Sequence, residues 1–240
     1  MAALDMLTLV TLLSIITFQQ CAGQRALEYW QTINKDVQDE IVDTFNEIRR
    51  NVKPPSQNML KMVWDEDAAT TGLIWIRKCQ FSFSPVRLRP NNASACGELL
   101  YRTAIPYKWS IVINEWYNMQ EEFKYGKGER FYKDETGHYS QVVWALSHRV
   151  GCQVAFCDVD FMYACSFCPA GNDYSKMSLP YEEGEPCKRC PNDCDDRLCT
   201  NPCPHQDSYV NCEELKAGCL SDPIIKAGCK ATCQCPTEIK

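Results

Sequence analysis

The chain has 240 residues, with 25 basic against 31 acidic side chains, a formal charge of −6 and 17 cysteines. Mild acidity without any basic run excludes a nucleic-acid binder, because contact with phosphates needs a clustered basic face. So many cysteines in so short a chain exclude an ordinary reduced cytosolic domain and point to an oxidising compartment.

An apolar run from Leu7 to Phe18 opens the chain. It is too short for a membrane-spanning helix, which needs roughly 20 residues. The small residues Cys21-Ala22-Gly23 come next as a cleavage site, so residues 1–23 read as a signal peptide and Gln24 as the first mature residue. Losing Asp5 and Cys21 with it leaves a charge of −5 and 16 cysteines, an even set suited to disulfides. The remainder holds no second apolar run of spanning length, which predicts a secreted, extracellular product. Asn92-Ala93-Ser94 is an N-glycosylation pattern and predicts that Asn92 lies on a surface loop.

Ile41, Val42, Phe45 and Ile48 recur at helical spacing, followed by Arg49 and Arg50, where positive charge suits the carboxyl end of a helix dipole. Asp65 is placed to cap a second helix with Ala68, Ala69, Leu73 and Ile76 along one side. Ser110 is placed to cap a third, whose stripe runs through Ile111, Glu115, Met119 and Phe123. The period then changes. Val150, Cys152, Val154 and Phe156 alternate as in a half-buried strand, and Met162-Tyr163-Ala164-Cys165 reads as its neighbour. Helices early and strands late predict an α+β domain with helices packed on a sheet.

Cysteine density divides the chain beyond the leader into two parts. Positions 79, 96, 152, 157, 165 and 168 serve a long first part, whereas ten cysteines crowd between Cys187 and Cys235. Leu179 to Pro186, rich in proline, glycine and charge, reads as a linker. The final stretch of about 55 residues is too small to bury a core without staples. By itself, Cys187-x2-Cys190 with Cys194-x4-Cys199 has the spacing of a zinc site, but in an exported chain such thiols are oxidised.

Several of these segments carry a resemblance. Gly137-His138-Tyr139-Ser140-Gln141-Val142-Val143-Trp144 resembles the first signature of the CAP superfamily, and Tyr163 to Asn172 (YACSFCPAGN) resembles the second. Pro54-Pro55, Asn58 to Trp64 and Cys96-Gly97-Glu98 match further landmarks, while the tail is similar to the hinge and cysteine-rich domain of the cysteine-rich secretory proteins. The resemblance implies a three-layer α-β-α CAP sandwich over residues 24–183 and a disulfide-rich hinge over 184–202. A small disulfide-knotted helical domain, ShK-like, completes it over 203–240. It also implies the pairings Cys79–Cys157, Cys96–Cys168 and Cys152–Cys165, then Cys187–Cys194, Cys190–Cys199, Cys203–Cys235, Cys212–Cys229 and Cys219–Cys233.

CAP domains carry a cleft of two histidines and two glutamates that in some members binds a divalent metal. Carried over position by position, one histidine is His138 and one glutamate is Glu98. The other histidine falls on Phe83 and the other glutamate on Met119, and Leu99 stands where the family has asparagine. A catalytic zinc site takes three protein ligands and an open position. Two remaining donors predict no metal and no cofactor. A metal-free hydrolase would need Ser140, His138 and Glu98 to act together. Residues two apart share a face on a strand and diverge on a helix, and there is no Gly-x-Ser-x-Gly turn. The pair reads better as a satisfied polar couple supporting the fold, so the chain is not expected to be an enzyme. His148 and His205 read as loop residues with no catalytic spacing.

A binding role remains. The tail offers Tyr209, Leu220, Ile224, Ile225, Lys226 and Lys230, with Leu220 and Ile224 read as its tiny core. No lysine–aromatic pair stands out, which argues against direct plugging of a channel pore. The resemblance implies a non-enzymatic protein acting at cell surfaces, associated with sperm in the male reproductive tract. Its partner would be a cell-surface protein, an ion channel or the sperm membrane. A sterol or lipid carrier is the alternative, and a residual hydrolase ranks last.

Overall fold

The computed structural model describes residues 31–85, 96–127 and 136–240. The leader segment and Asn92 lie outside the described residues. Among the described residues, no helix is long and apolar enough to cross a membrane.

Helix α1 (Lys35–Arg50) starts at Asn34, whose side chain accepts the Asp36 amide, and turns Val37, Ile41, Phe45 and Ile48 inward. After the two-residue strand β1 (Val63–Trp64), Asp65 accepts the Ala68 amide and opens α2 (Glu66–Ile76), which buries Ala68, Ala69, Gly72 and Ile76. Strand β2 (Gly97–Thr103) precedes helix α3 (Trp109–Asn118), which passes into a 3₁₀ turn at Met119–Glu122. Helix α4 (Thr136–Val142) leads to the long hairpin β3 (Arg149–Cys157) and β4 (Asp160–Cys168).

The sheet runs β1-β3-β4-β2, with β1 parallel to β3 and the other pairs antiparallel. Alternation along the strands sorts their side chains between two helical layers. Leu99, Val150, Cys152, Val154, Phe161, Tyr163, Cys165 and Phe167 join residues of α1, α3 and α4 in the main core. Leu100, Ala155, Met162 and Ala164 meet Ile76 of α2 on the opposite face. The three-layer α-β-α architecture implied by the resemblance is therefore present, in an α+β chain. The alternation predicts a half-buried β3, but helices cover both faces and only its polar or aromatic positions reach solvent.

Helix α3 departs from its sequence reading. Its inward face is Trp109, Val112, Ile113 and Trp116, while Ile111 and Glu115 are exposed. Ser110 caps nothing; its amide donates to Glu40 Oε1 at 3.0 Å. The two indoles set the helix rotation. Each is fully buried, and Trp116 donates to the Leu100 carbonyl at 3.1 Å.

The segment read as a linker is packed and hydrogen-bonded. Gln57 N–H donates to Glu182 O, Gly184 N–H to Pro55 O and Arg189 N–H to Gln57 O. The hinge ribbon β5 (Cys194–Asp195) and β6 (Leu198–Cys199) continues this docking. Cys199 exchanges bonds with Met59 O and Lys61 N–H, and Leu198, wholly buried, belongs to the main core. Arg50–Asp196 and Lys61–Asp195 ion pairs rim the junction. Beyond it, α5 (Pro223–Gly228) and α6 (Lys230–Gln234) form the tail, and the chain end returns to the hinge. Ile239 donates to Asn201 O and accepts from Cys203 N–H, both at 2.9 Å, and lies buried with Leu60, Cys187, Cys190 and Cys199.

Candidate functional site

The cleft begins with Glu98 on β2, opposite Ser166 of β4. Its side chain is buried and accepts the Ser84 amide at 2.6 Å. That bond draws the loop after α2 against β2; Phe83, which precedes Ser84 in that loop, is 56% exposed. Gln141 of α4 lies directly over Gly97, where any Cβ would overlap its side-chain amide. His138 is one turn before Gln141 on α4 and its ring is half-buried. Met119, at the start of the 3₁₀ turn, packs half-buried against the core. By strand alternation Glu98 lies on the α2 face of the sheet with Leu100, whereas α4, with Gln141 over Gly97, covers the other face; Met119 contributes a thioether and no hard donor.

Ser140 takes another direction. Because 136–142 is a helix, Ser140 diverges from His138. Its hydroxyl donates to Asn172 Oδ1 at 2.7 Å, and Asn172 Nδ2 donates to Gly137 O at 2.7 Å. This polar couple ties α4 to the segment after β4. Asn172 belongs to the second signature, though nothing in the sequence marks it as the partner of Ser140.

Behind the cleft stands a bank of phenols. Tyr139 packs on Phe123 and Tyr117, with ring centroids 4.8 and 5.8 Å apart, and Tyr125 packs on Tyr181 at 4.9 Å. Burial pushes the Tyr139 hydroxyl up to about 12 and raises that of Tyr181 as well. His148 lies half-buried in a loop, its Nδ1 3.1 Å from Leu146 O, and burial lowers its pKa. His205 lies in the tail beside Cys203. Neither meets the cleft residues.

The sequence reading missed the role of Arg49. It is 1% exposed, and its guanidinium donates six hydrogen bonds to the carbonyls of Leu60, Val142, Trp144, Ala145 and Ser147. Burial lowers its pKa to about 9, so it stays charged at neutral pH and clamps the turn leaving α4. The signal was present: 41, 45, 48 and 49 fall on one helical stripe, with Arg49 four residues after Phe45.

The structure joins Cys79–Cys157, Cys96–Cys168, Cys152–Cys165, Cys187–Cys194, Cys190–Cys199, Cys203–Cys235, Cys212–Cys229 and Cys219–Cys233. Cys187, Cys190 and Cys199 cluster within ligand distance of one another, but their sulfurs are spent in disulfides. In the tail, Leu220 and Ile224 are not core; they are 101% and 70% exposed, and Val210 is likewise exposed at 110%. The interior is taken by Cys212, Cys229, Cys235, Ala231 and Thr232. Ile225 lies on Gly218 and Tyr209 on Gly228, closer than any Cβ at those glycines would permit. Thr232 bonds Asp207 through its amide at 3.0 Å and its hydroxyl at 2.6 Å. With these groups inside, Leu220 and Ile224 are left in water.

A family model described as "Cysteine-rich secretory protein family" matches residues 42–167, and a second, "Crisp", matches 187–240. "Cysteine-rich secretory protein 2" of Homo sapiens is 40% identical over 245 residues, covering 100% of both chains. "Cysteine-rich secretory protein 1" of Mus musculus is 41% identical over 226 residues, covering 92% of each. Among solved structures, BmVAL-1 shares the fold at 22% identity with a TM-score of 0.59, over 71% of this chain and 96% of its own.

Proposed function

Starting from a chain that belongs to the cysteine-rich secretory protein family, we propose that it is a secreted, non-enzymatic binding protein. It acts at cell surfaces, with sperm and their ion channels as the first place to look, and the tail makes the contact. The observation that carries this reading is the set Val210, Leu220 and Ile224, held in water on a domain fixed by three disulfides. Rigid presentation reduces the entropy lost on docking, and aliphatic side chains left this exposed have no folding role to account for them. Lys226, in the last turn of α5, supplies charge at the same end.

The cleft is not assigned chemistry in this proposal. Of the four family cleft positions, those that keep a donor for zinc are Glu98 and His138, and Glu98 already accepts the Ser84 amide. Phe83 and Met119 supply neither nitrogen nor oxygen. Ser140 has its hydroxyl on Asn172 and diverges from His138 around their helix, which supports a structural role for it.

The test is electrical. Currents from a panel of sperm-expressed channels are recorded with the intact protein and with Leu220→Asp/Ile224→Asp. A current shifted by the intact chain and not by the variant supports the tail as effector; equal effects of both remove the tail from the account. The intact chain is required because a fragment starting at Pro186 would strip Leu198 and Cys199 of their burial.

A further inference from the structure

We propose that the hinge is a thiol-triggered disulfide switch. An external thiol entering at Cys194 exchanges the pairs Cys187–Cys194 and Cys190–Cys199 for Cys187–Cys190 and Cys194–Cys199. The sulfurs of Cys187, Cys190 and Cys199 lie within 4.8 Å of one another, so the two hinge disulfides are packed side by side. Among the described residues no other three cysteines gather in this way. Cys187, Cys190 and Cys199 are 6%, 1% and 1% exposed, whereas Cys194 lies at the surface. Of the four, Cys194 is therefore where a dissolved thiol enters.

The backbone is already shaped for the exchanged pairs. Cys194 and Cys199 stand directly opposite on the antiparallel ribbon of β5 and β6. Thr200 N–H donates to Asp193 O at 2.9 Å, and Cys199 spends its own N–H and carbonyl on Met59 and Lys61. Cys194 and Cys199 are thus a non-hydrogen-bonded pair, in which opposed Cα atoms stand about 4.5 Å apart and side chains come closest. A disulfide spans that separation, and Cys152–Cys165 is already such a cross-strand bond between β3 and β4. At the other pair, Cys190 N–H donates to Cys187 O at 3.0 Å, closing a β-turn that keeps their Cα atoms within about 7 Å. Cys187 also stands at φ +62°, a left-handed conformation that strains any residue with a Cβ. Such strain gathers at switch segments.

Each step conserves electrons. The external thiolate attacks Cys194 Sγ; a mixed disulfide forms and Cys187 leaves as a thiolate. Cys187 Sγ then attacks Cys190 Sγ, forming Cys187–Cys190 and releasing the Cys199 thiolate. Cys199 attacks Cys194 across the ribbon, forming Cys194–Cys199 and expelling the external thiolate. Nothing is oxidised or reduced overall, and the thiol is regenerated. The effect lies in connectivity. Both present bonds tie the 187–190 turn to the ribbon, whereas each exchanged bond closes within one of the two. The ribbon keeps its hydrogen bonds to Met59 and Lys61, while the seat of Ile239, which is buried with Cys187, Cys190 and Cys199, is rebuilt. The exposed aliphatic residues of the tail play no part in the exchange.

The test is disulfide mapping of the full-length secreted protein before and after incubation with a trace of reduced glutathione at neutral pH. N-ethylmaleimide stops the exchange. Trypsin, cutting after Lys188, Arg189 and Arg197, and Asp-N endoproteinase, cutting before Asp193 and Asp195, then separate all four cysteines for mass spectrometry. Peptides joined through Cys187–Cys190 and Cys194–Cys199 should rise at least about tenfold over the thiol-free sample. The other six disulfides should be unchanged. A brief pulse stopped early should place glutathione on Cys194 and N-ethylmaleimide on Cys187. Failure of the exchanged peptides to appear overturns the proposal. Glutathione found first on another hinge cysteine does the same, as does exchange seen only alongside scrambling of the other six pairs, which marks general unfolding.

Discussion

Arg49 permits a worked stability prediction. Among the described residues its guanidinium has no carboxylate partner and is held by carbonyls. Two of the five, Trp144 O and Ala145 O, also accept backbone amides, from Ser147 and Leu60. Leu60 O, Val142 O and Ser147 O depend on the guanidinium. In Arg49→Met the volume is roughly kept and these three are orphaned at about 1–3 kcal/mol each. Against that, the variant no longer buries a charge, a relief of several kcal/mol. The carbonyls outweigh it, because they are already arranged around the cation and have no water to turn to. The expected net loss is about 3–5 kcal/mol, or about 6–20 °C in melting temperature for a chain of this size. Arg49→Lys keeps the charge with three donors from one point and should fall between. Equilibrium unfolding in guanidinium chloride, disulfides intact, gives the order wild type, Lys, Met. A methionine variant within about 0.5 kcal/mol of wild type, or more stable than the lysine variant, would refute the reasoning.

Other expectations rest on close approaches and buried groups. At Gly151 a Cβ would overlap Ala69 N and Asp65 O, both backbone, so Gly151→Ala should cost more than about 3 kcal/mol. At Gly97 the obstacle is the Gln141 side chain, and Gly97→Ala should cost less; thermal denaturation separates the two. Tyr139 and Tyr163 have hydroxyls raised by burial from 10.0 to about 12. The folded state therefore keeps protons that the unfolded state releases, and stability should be intact below pH 10 and fall as pH rises toward 12. Ultraviolet phenolate titration should show these tyrosines ionising late and together with unfolding. Calorimetric titration with zinc should show no tight site in the cleft; one that disappears in His138→Ala would contradict the proposal. Leu198→Asp places a charge in the main core from the hinge side and should destabilise the large domain, as its melting temperature will report.

What the sequence disclosed depended on range. The stripe through Ile41, Phe45 and Ile48, the cap at Asp65 and the alternation in β3 are local patterns, and each formed where its period placed it. The helical layers and the sheet between them could be anticipated on the same basis, helped by the two CAP signatures. Distant pairings were opaque. Strand β1 is two residues long and gains its identity only from β3 beside it. Leu198 is one leucine in an acidic, cysteine-rich stretch, with nothing nearby to tell that it completes a core built by elements far earlier in the chain. Arg49 lay on the right stripe but was read by its charge, since its acceptors come from residues 60 and 142–147. In the cleft, Glu98 and His138 are carried over from their motifs, while the Gly97–Gln141 contact that seats α4 on β2 carries no such mark. Leu220 and Ile224 were misjudged because apolar identity predicts burial only when the interior has room, and cystines had filled it.

The return of the chain end to its own hinge has a mechanical meaning. Cys203 and Ile239, the two ends of the tail, are hydrogen-bonded to one another, and Ile239 is seated in the strip that Leu60 and the hinge cystines share. Lys240 adds an ion pair to Glu213 inside the tail at 3.2 Å. The knot is thus hung through residues 203 and 239 from a single mounting. A pull on Leu220 is delivered to Met59–Lys61 and the clamp of Arg49 without slack. A partner that seizes the tip of the tail takes hold of the large domain in the same act.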